Sequence, residues 1–410
     1  MILAAGIITQ ICIGKDKDID SEEKSMKKRT LLLVLGLAAA LAFTGCGSKD
    51  EEEPSEEPVS IEAPAAMTPA MVATDDEPSE TEEAPVEEES DTPPDGMVAN
   101  PLTGEWIDES LADQRPIAVM IDDEKTALPH FGVSEADIIY EMMNSTQNDG
   151  VTRFMALFKD YNSVKQIGSI RSTRPTNLQT FPEWNAVLCH DGGPFWNDSF
   201  YKNPFVERFS GTFSRVDNGK AREFTEYALS GDVDKNFKNT GYSKTYNEYY
   251  RGEHYKFATR ANPNTLEQYP NAETVNKVTL AFHHNNPWLE YNADEGVYYY
   301  FQYGGKEVDA GNGNKQVCFK NLLLQGARLE KLDDHGYMIL HTNDSDYGAD
   351  EKREGWYITN GKGIKVTWTK MDDTYPTRYY DENGEEIKIN VGKTYVAIIP
   401  KEDFAQTKFE

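Results

Sequence analysis

The chain has 410 residues and a formal net charge of −29, because 70 acidic side chains outnumber 41 lysines and arginines. This excess of negative charge argues against nucleic acid or an anionic lipid surface as the main partner. The four cysteines are too few for a disulfide framework and match no metal-binding pattern, so the sequence indicates neither a bound metal nor a cofactor.

Residues 1–25 are interpreted as an upstream mis-start of translation. The stretch Met1–Ile13 is mostly apolar, but the charged residues between positions 15 and 24 would interrupt the apolar core of an export signal. Met26 stands directly before the basic patch Lys27-Lys28-Arg29 and is the better start. We therefore leave the first 25 residues out of the fold prediction.

Residues 26–45 are typical of a lipoprotein signal peptide. The basic patch is followed by the uncharged run Leu31–Phe43 and then by Thr44-Gly45-Cys46. Such a run spans only about two thirds of a ~30 Å hydrocarbon core, which favours a cleaved signal over an uncleaved anchor. We predict that Cys46 is lipidated and that the protein is held on the outer face of the bacterial cytoplasmic membrane.

Residues 46–98 are predicted to form a disordered acidic tether behind the lipidated cysteine. Positions 50–98 contain 18 acidic residues, 8 prolines and no lysine, arginine or aromatic residue. Such a segment cannot bury enough apolar area to offset the conformational entropy of folding. We interpret it as a spacer, and an acidic calcium-binding or partner-binding tail is the alternative.

Residues 99–250 are predicted to form an N-terminal α+β domain with a mixed sheet. Its apolar runs are nearly continuous rather than alternating, which is typical of strands buried on both faces. Residues 195–250 are expected to form long loops with short helices. The candidate strands are Pro116–Ile121, Asp137–Met143, Arg153–Phe158, Gln166–Ile170 and Asn185–Cys189.

Residues 272–410 are predicted to form a mainly antiparallel β-rich domain, joined to the first by a connector at 251–271. Asn360-Gly361 and Asn383-Gly384 lie between extended runs, as two-residue hairpin turns require. Cys189 and Cys318 fall in different predicted domains and are expected to be buried free thiols. The candidate strands are Val278–Phe282, Val297–Tyr303, Gln316–Leu324, Gly336–Thr342, Gly355–Thr359, Gly363–Lys370 and Thr394–Ile399.

Polar residues gather just beyond two strands of the first domain. Arg171-Ser172-Thr173-Arg174-Pro175 follows the run that ends at Ile170, and His190-Asp191-Gly192-Gly193 follows the run that ends at Cys189. Open α/β sheets place ligands at the carboxyl ends of their strands. These segments are therefore candidate site motifs.

In their order along the chain, these motifs resemble the signature of the YerB-like bacterial lipoproteins. The chain departs from that pattern at Ser169, where proline is expected, and at Tyr246-Asn247, where a His-Asn pair is expected. The resemblance implies a lipoprotein with two domains of unknown function, and it implies no catalytic residues. The similar stretches are Tyr140-Glu141, Asp149–Phe154, Ile167–Pro175, His190–Gly193, Trp368–Lys370 and Gly392–Thr394.

The arginines of the first domain suggest an anion site. If Pro175 opens a helix, Arg171 and Arg174 could both approach its positive N-terminus, with Ser172 between them and Arg153 joining from a neighbouring strand. Guanidinium groups fixed in this way would suit a carboxylate or phosphate ligand. The other interpretation is that the arginines pair internally with Glu141, Asp122 or Asp191 and hold the sheet edge together, and we favour it because the folded part of the chain is acidic.

A catalytic interpretation rests on Glu141, His190 and Asp191. A histidine beside a carboxylate could act as a general base, but neighbours on a strand point to opposite faces. Pairing of His190 with Asp191 therefore needs a turn, which Gly192-Gly193 could provide. No motif marks Ser172 as a nucleophile.

The sequence is compatible with two functions. The first is a ligand-binding or scaffolding lipoprotein of the cell envelope, with cell-wall polymer or another envelope protein as partner. The second is a cell-wall-directed hydrolase or transferase that uses His190 with Glu141 or Asp191. We favour the first, because the motif spacing assembles no complete catalytic constellation.

Overall fold

The computed structural model describes residues 91–349 and 351–410. The predicted mis-start, the signal peptide, the lipidation site Cys46 and the tether up to residue 90 lie outside the described residues. Within the described part of the chain, no helix is long and apolar enough to cross a membrane.

The described strands of the first half are short, apart from three in the middle of a sheet. They are β1 (Met97–Ala99), β2 (Trp106–Asp108), β3 (Ile117–Asp122), β4 (Ile138–Met143), β5 (Thr152–Phe158), β6 (Gln166–Gly168), β7 (Val187–His190), β8 (Arg208–Ser210), β9 (Ser214–Arg215) and β10 (Glu226–Leu229). The described α-helices are α1 (Pro175–Thr180), α2 (Asp232–Thr240) and α3 (Lys401–Phe404).

The second half consists almost entirely of strands. They are β11 (Glu273–Thr274), β12 (Lys277–Thr279), β13 (Trp288–Asn292), β14 (Val297–Gln302), β15 (Gly305–Lys306), β16 (Val308–Asp309), β17 (Lys315–Gln316), β18 (Cys318–Phe319), β19 (Asn321–Ala327), β20 (Leu329–Lys331), β21 (Met338–Leu340), β22 (Arg353–Thr359), β23 (Lys362–Thr369), β24 (Arg378–Tyr380), β25 (Thr394–Pro400) and β26 (Lys408–Phe409). Short 3-10 helices occur at Glu109–Leu111, Lys125–Ala127, Val133–Glu135, Phe181–Trp184, Phe195–Asp198, Phe200–Lys202, Arg222–Phe224, Ala310–Asn312 and Asp344–Asp346.

One large sheet contains strands from both halves of the chain. Its order is β11-β23-β22-β19-β25-β4-β5-β3-β7-β8, and β24 also pairs with β23. The halves meet where β25 runs parallel to β4, with Thr394 opposite Ile138, and parallel to β19 on its other side. The division at residues 251–271 therefore separates two stretches of sequence that share a sheet, and the domain boundaries stay a prediction.

The middle strands of this sheet are buried on both faces. Along β3, Ile117, Val119 and Ile121 pack into one apolar layer, while Ala118 and Met120 pack into the other. The first layer lies against α2 and a smaller sheet ordered β15-β14-β13-β12-β26, with β18 beside β14. The second layer contains α1 and the β21 segment. Burial on both sides explains the continuous apolar runs of the sequence.

The predicted fold class is confirmed. In the first half, β3 pairs antiparallel with β5 and parallel with β7, so the sheet is mixed. In the second half, β12, β13 and β14 are antiparallel, as are β19, β22 and β23. The strand parallel to β19 is β25, which carries the second half back to the first.

The two predicted hairpin turns have different outcomes. Asn360 and Gly361 both have positive φ, 50° and 71°, and connect β22 to β23 as predicted. At the second turn only Gly384 has a positive φ. The prediction of a two-residue turn there was wrong, because the Asp381 carboxylate accepts the main-chain N–H groups of Asn383 and Glu385 and so forms a wider loop.

The two cysteines of the folded part are free thiols, as expected. Cys189 is buried on β7, and burial raises the pKa of its thiol. Cys318 is half-buried rather than fully buried, because β18 lies beside a surface depression described below. Neither thiol is therefore part of a disulfide.

The close contact between β19 and β22 predicts that a single methyl group added at Gly355 lowers the stability of the protein. A Cβ on Gly355 would lie 2.6 Å from the carbonyl oxygen of Leu324, inside the large sheet. We expect Gly355→Ala to lower the free energy of unfolding by about 1–3 kcal/mol through overpacking. Gly305→Ala is the control, because a Cβ there meets nothing within 4 Å. Equal denaturant midpoints for the two variants would contradict the described register.

Candidate functional site

The predicted arginines come together at one end of the large sheet. Arg153 begins β5 and lies opposite Asp122, the last residue of β3. The chain after β6 runs along the same end, because Arg171 donates its main-chain N–H to the carbonyl of Met120. Ser172 and Arg174 follow, and Pro175 then opens α1. We call Arg153, Arg171, Ser172 and Arg174 the arginine site.

Arg171 belongs to internal ion pairs. Its Nε donates to Asp122 Oδ2 at 2.6 Å, and its Nη2 lies 3.0 Å from Glu223 Oε2. The Asp122 side chain is 0% exposed, whereas Arg171 is 19% exposed. Burial lowers the pKa of Arg171, but the two carboxylates outweigh burial, so the pKa is raised. For this arginine the structural interpretation holds.

Arg153 is buried without a carboxylate partner. Its Nη1 donates to Asn144 Oδ1 at 3.0 Å and to the main-chain oxygen of Ser172 at 2.7 Å. Its Nε is buried and has no hydrogen-bond partner. The contacts are to neutral acceptors, so they orient the guanidinium without neutralising its charge.

Arg174 is held in the same way. Its Nε donates to the main-chain oxygen of Asn144 at 3.3 Å, and its Nη1 donates to that of Thr173 at 3.0 Å. Its guanidinium also lies over the ring of Tyr337, 5.2 Å from the centroid. Since Arg153 contacts the side chain of Asn144 and Arg174 contacts its carbonyl, the two guanidinium groups are neighbours.

The electrostatics reflect two buried cations without an ion-paired carboxylate. Burial, followed by repulsion from Arg153, lowers the pKa of Arg174 to about 9. Burial also lowers the pKa of Arg153; attraction to Asp122 opposes that shift, and repulsion from Arg171 adds to it. Among the described residues, neither Arg153 nor Arg174 has a carboxylate within 4 Å in an ion pair. A bound anion would relieve both shifts.

The structure does not support a contribution of the α1 N-terminus to anion binding at the arginine site. Pro175 does open a helix, but α1 has only six residues, and the N–H of Arg174 is already accepted by Asn177 Oδ1. The electropositive character therefore comes from the side chains. Ser172 adds its main-chain carbonyl to the cradle of Arg153.

His190 and Asp191 lie beside the arginine site but do not pair with each other. The Nδ1 of His190 lies 2.8 Å from the carbonyl oxygen of Gly192, and its Nε2 is buried without a partner. Asp191 instead accepts a hydrogen bond from Arg215 at 2.6 Å. Burial lowers the pKa of His190 to about 4, so the imidazole is neutral at pH 7.

Glu141 is sealed inside the protein, away from His190. It lies on β4, and β5 and β3 separate it from β7, a distance of roughly 14 Å across the sheet. Its carboxylate accepts hydrogen bonds from Tyr300 at 2.7 Å and from Asn285 at 2.7 Å, and burial raises its pKa. The structure thus does not assemble Glu141 and His190 into a catalytic pair.

Sequence reasoning missed the residues that complete the surroundings of the arginines. Asn144 directly follows β4, the strand that carries Glu141, and nothing in its local sequence marks it. Asn197 donates to the carbonyl of Thr173 at 3.2 Å, while its own Oδ1 is buried without a partner. Trp196 donates to Asp333 at 2.9 Å, and its neighbour Phe195 is 67% exposed.

Comparison with known proteins places these motifs in a family. Residues 102–243 match the family described as "Protein of unknown function (DUF3048) N-terminal domain", and residues 278–396 match its "C-terminal domain". The chain belongs to the DUF3048 family. All four residues of the arginine site, together with Glu141, His190 and Asp191, lie in the first matched region.

A protein from Bacillus subtilis is similar to this chain both in its sequence and in its solved structure. The chain is 23% identical over 332 residues to "Putative lipoprotein YerB" of strain 168. The alignment covers 74% of this chain and 87% of that protein. The chain also resembles the crystal structure of the YerB protein from Bacillus subtilis, with a TM-score of 0.64 and 19% identity over 76% of this chain and 99% of that one. The likeness to the crystal structure shows the fold alone.

Neutral, buried His190 predicts a particular pH dependence of stability. Its pKa is about 4 in the folded state and near 6.5 when unfolded, so the unfolded state takes up the proton first. The neutral His190 therefore contributes about 3 kcal/mol to the free energy of unfolding above pH 6.5. This contribution is lost as the pH falls toward 4. His190→Asn, whose amide can still donate to Gly192, should flatten that slope in denaturant unfolding. An unchanged slope, measured against His335→Asn as the exposed control, would contradict a neutral structural His190.

The contrast between paired and unpaired arginines gives a second prediction. Arg171→Gln leaves Asp122 buried and unpaired, so we expect a loss of about 3 kcal/mol or more in the free energy of unfolding. Arg174→Gln removes an uncompensated charge and should cost about 1 kcal/mol or less. Chemical denaturation of both variants checks this order. The reverse order would place the carboxylate partner on Arg174.

Proposed function

We propose that this protein is a lipid-anchored extracytoplasmic lipoprotein that binds an anionic ligand at the arginine site. One observation carries the proposal: Arg153 and Arg174 are neighbouring, largely buried cations that contact neutral acceptors only. Asp122, Glu124 and Glu223 attract Arg153 from nearby, yet among the described residues no carboxylate forms an ion pair with either guanidinium group.

The geometry suits a carboxylate or phosphate group. Arginine presents its donors in a rigid planar fork that binds such oxyanions in a bidentate manner. Arg153 retains a buried Nε–H without a partner, and its cradle of carbonyl oxygens fixes the plane of the guanidinium. A preorganised site of this kind loses little conformational entropy on binding.

The neighbouring surface supplies aromatic contact area. Phe195 is exposed and stacks near Trp196, with 4.5 Å between ring centroids, and Tyr337 lies under Arg174. Aromatic side chains beside an arginine are typical of binding surfaces. An acidic polymer of the cell wall or an acidic segment of another envelope protein are the two partner classes that this surface would accept.

Membrane attachment completes the proposal. The basic, apolar and small residues that lead to Cys46 have the order of a lipoprotein signal, and the similar Bacillus subtilis protein carries the word lipoprotein in its name. Residues 50–98 would act as the spacer between the anchor and the folded part. We favour binding over hydrolysis or group transfer, because the Glu141 carboxylate is 0% exposed and the Nδ1 of His190 is engaged with the carbonyl oxygen of Gly192.

Calorimetric titration with pyrophosphate tests the arginine site. We expect wild type to bind, and we expect Arg174→Gln to weaken binding about tenfold or more, because charge-assisted hydrogen bonds contribute about 1.5–3 kcal/mol each. Ligand-bound protein should also melt a few degrees higher, as linkage requires. Arg251→Gln is the control, since that arginine lies over Tyr375 away from the site. Equal binding by wild type and Arg174→Gln would overturn the proposal.

A further inference from the structure

A second cationic region lies apart from the arginine site. A cavity of about 460 Å³ is lined by four cations, Arg260, Lys315, Lys320 and Lys393, and by a single carboxylate, Glu105. Its walls come from both halves of the chain. Such a concentration of positive charge is unexpected in a protein whose sequence is strongly acidic.

Gly392 allows two of these lysines to approach each other. It has a φ of 133°, and a Cβ at this position would lie 2.7 Å from the Cβ of Lys320. Lys393 follows directly and donates its Nζ to the main-chain oxygen of Ser134. Gly392-Lys393 belongs to the stretch Gly392–Thr394, one of those that resemble the YerB-like signature, and it lies outside the arginine site. Here it forms one wall of the cavity.

Arg260 and Lys393 donate side-chain hydrogen bonds to main-chain carbonyl oxygens in the cavity wall. Arg260 stacks on Trp106, 3.6 Å from the ring centroid, and donates to the carbonyl of Gly104. Lys320 donates to Asn360 Oδ1 at 2.7 Å. Burial lowers the pKa of Lys393; attraction to Asp137 and Glu105 opposes this shift, and repulsion from Lys315 adds to it. Among the described residues, no ion pair within 4 Å involves Arg260, Lys315 or Lys393.

The cavity opens into an aromatic depression on the smaller sheet. Both share Val297, Lys315 and Cys318 as lining residues. The depression has a volume of about 890 Å³ and runs across the outer face of β14, where Tyr299 and Phe301 are half-buried. The cavity and the depression therefore form one groove with a cationic end and an aromatic floor.

The aromatic floor is built as a platform. Trp288 and Phe301 stack with 5.0 Å between ring centroids and an interplanar angle of 9°. Tyr299 donates its hydroxyl to Glu295 at 2.7 Å, and Trp288 donates to Glu290 at 2.8 Å. The rings are thus fixed in place, and Glu290 and Glu295 offer acceptor oxygens along the same depression.

We infer that this groove binds an anionic glycan. A carboxylate or phosphate substituent would occupy the cationic cavity, while the apolar faces of the sugar rings would pack on Tyr299 and Phe301. Sugar hydroxyls would donate to Glu290 and Glu295. A neutral sugar would leave Arg260, Lys315 and Lys393 without a bound anion, and an acidic peptide would bring further carboxylates to Glu290 and Glu295. This inference is independent of the arginine site.

Titration with three short oligomers tests the inference. The probes are hexagalacturonate, uncharged maltohexaose and hexaglutamate, the last being anionic without sugar rings. We expect hexagalacturonate to bind at least tenfold more tightly than either of the others. Lys315→Gln should weaken that binding about tenfold, and Tyr299→Leu, which retains apolar bulk, should weaken it several-fold. Lys238→Gln on α2 is the matched surface control and should change nothing.

Any of the following three outcomes would overturn the inference. Absence of hexagalacturonate binding would do so, as would equal affinity for hexaglutamate, which would indicate a general response to polyanions. If Arg174→Gln weakens hexagalacturonate binding and Lys315→Gln does not, the glycan occupies the arginine site, and the groove loses its role while the proposed function stands. Lys315 is exposed, so its substitution should not prevent folding.

Discussion

The parallel pairing of β25 with β4 is the constraint on which both candidate binding regions depend. Thr394 lies opposite Ile138, so the chain that delivers Gly392-Lys393 is brought against Ser134, just before β4 begins. The same sheet continues through β5 and β3, where Arg153 lies opposite Asp122. The second half of the chain thus forms a wall of the cationic cavity and also extends the sheet whose other strands carry the arginines. Neither half would reproduce both regions on its own.

Charge compensation distinguishes binding residues from structural ones. Arg171 faces a fully buried aspartate, and the pair holds the end of the sheet together. Arg153, Arg174 and Lys393 instead contact carbonyl oxygens, an amide or an aromatic face. Carbonyl oxygens can fix the direction of a cation, but they return only part of the energy that its desolvation costs. Leaving such cations uncompensated is costly for folding, and a bound anion would supply the missing partner.

The sequence predicted most strands of the large sheet, because its buried runs such as Ile117–Asp122 and Thr394–Pro400 are almost continuously apolar. Arg153, Arg171 and Arg174, which the sequence grouped as a candidate anion site, lie at one end of the sheet, and their role stays a prediction. The sequence could not show that Asp122 forms its ion pair with Arg171, since that depends on how the segment after β6 lies against the end of β3. The pairing of β25 with β4 was missed for the same reason: strand patterns indicate burial and leave the partner open. The groove on β14 depends on contacts over long sequence separations, so composition did not reveal it.

The most direct test of the account is the side-chain Nε–H signal of Arg153 in nitrogen-15 NMR spectra of the protein. This group is buried without a partner, and the account predicts that pyrophosphate shifts the signal and slows its exchange with water. Arg153→Lys would identify the signal, and Arg171 Nε–H, already bonded to Asp122, should change much less. Saturable binding of pyrophosphate that leaves the Arg153 signal unchanged would contradict the account.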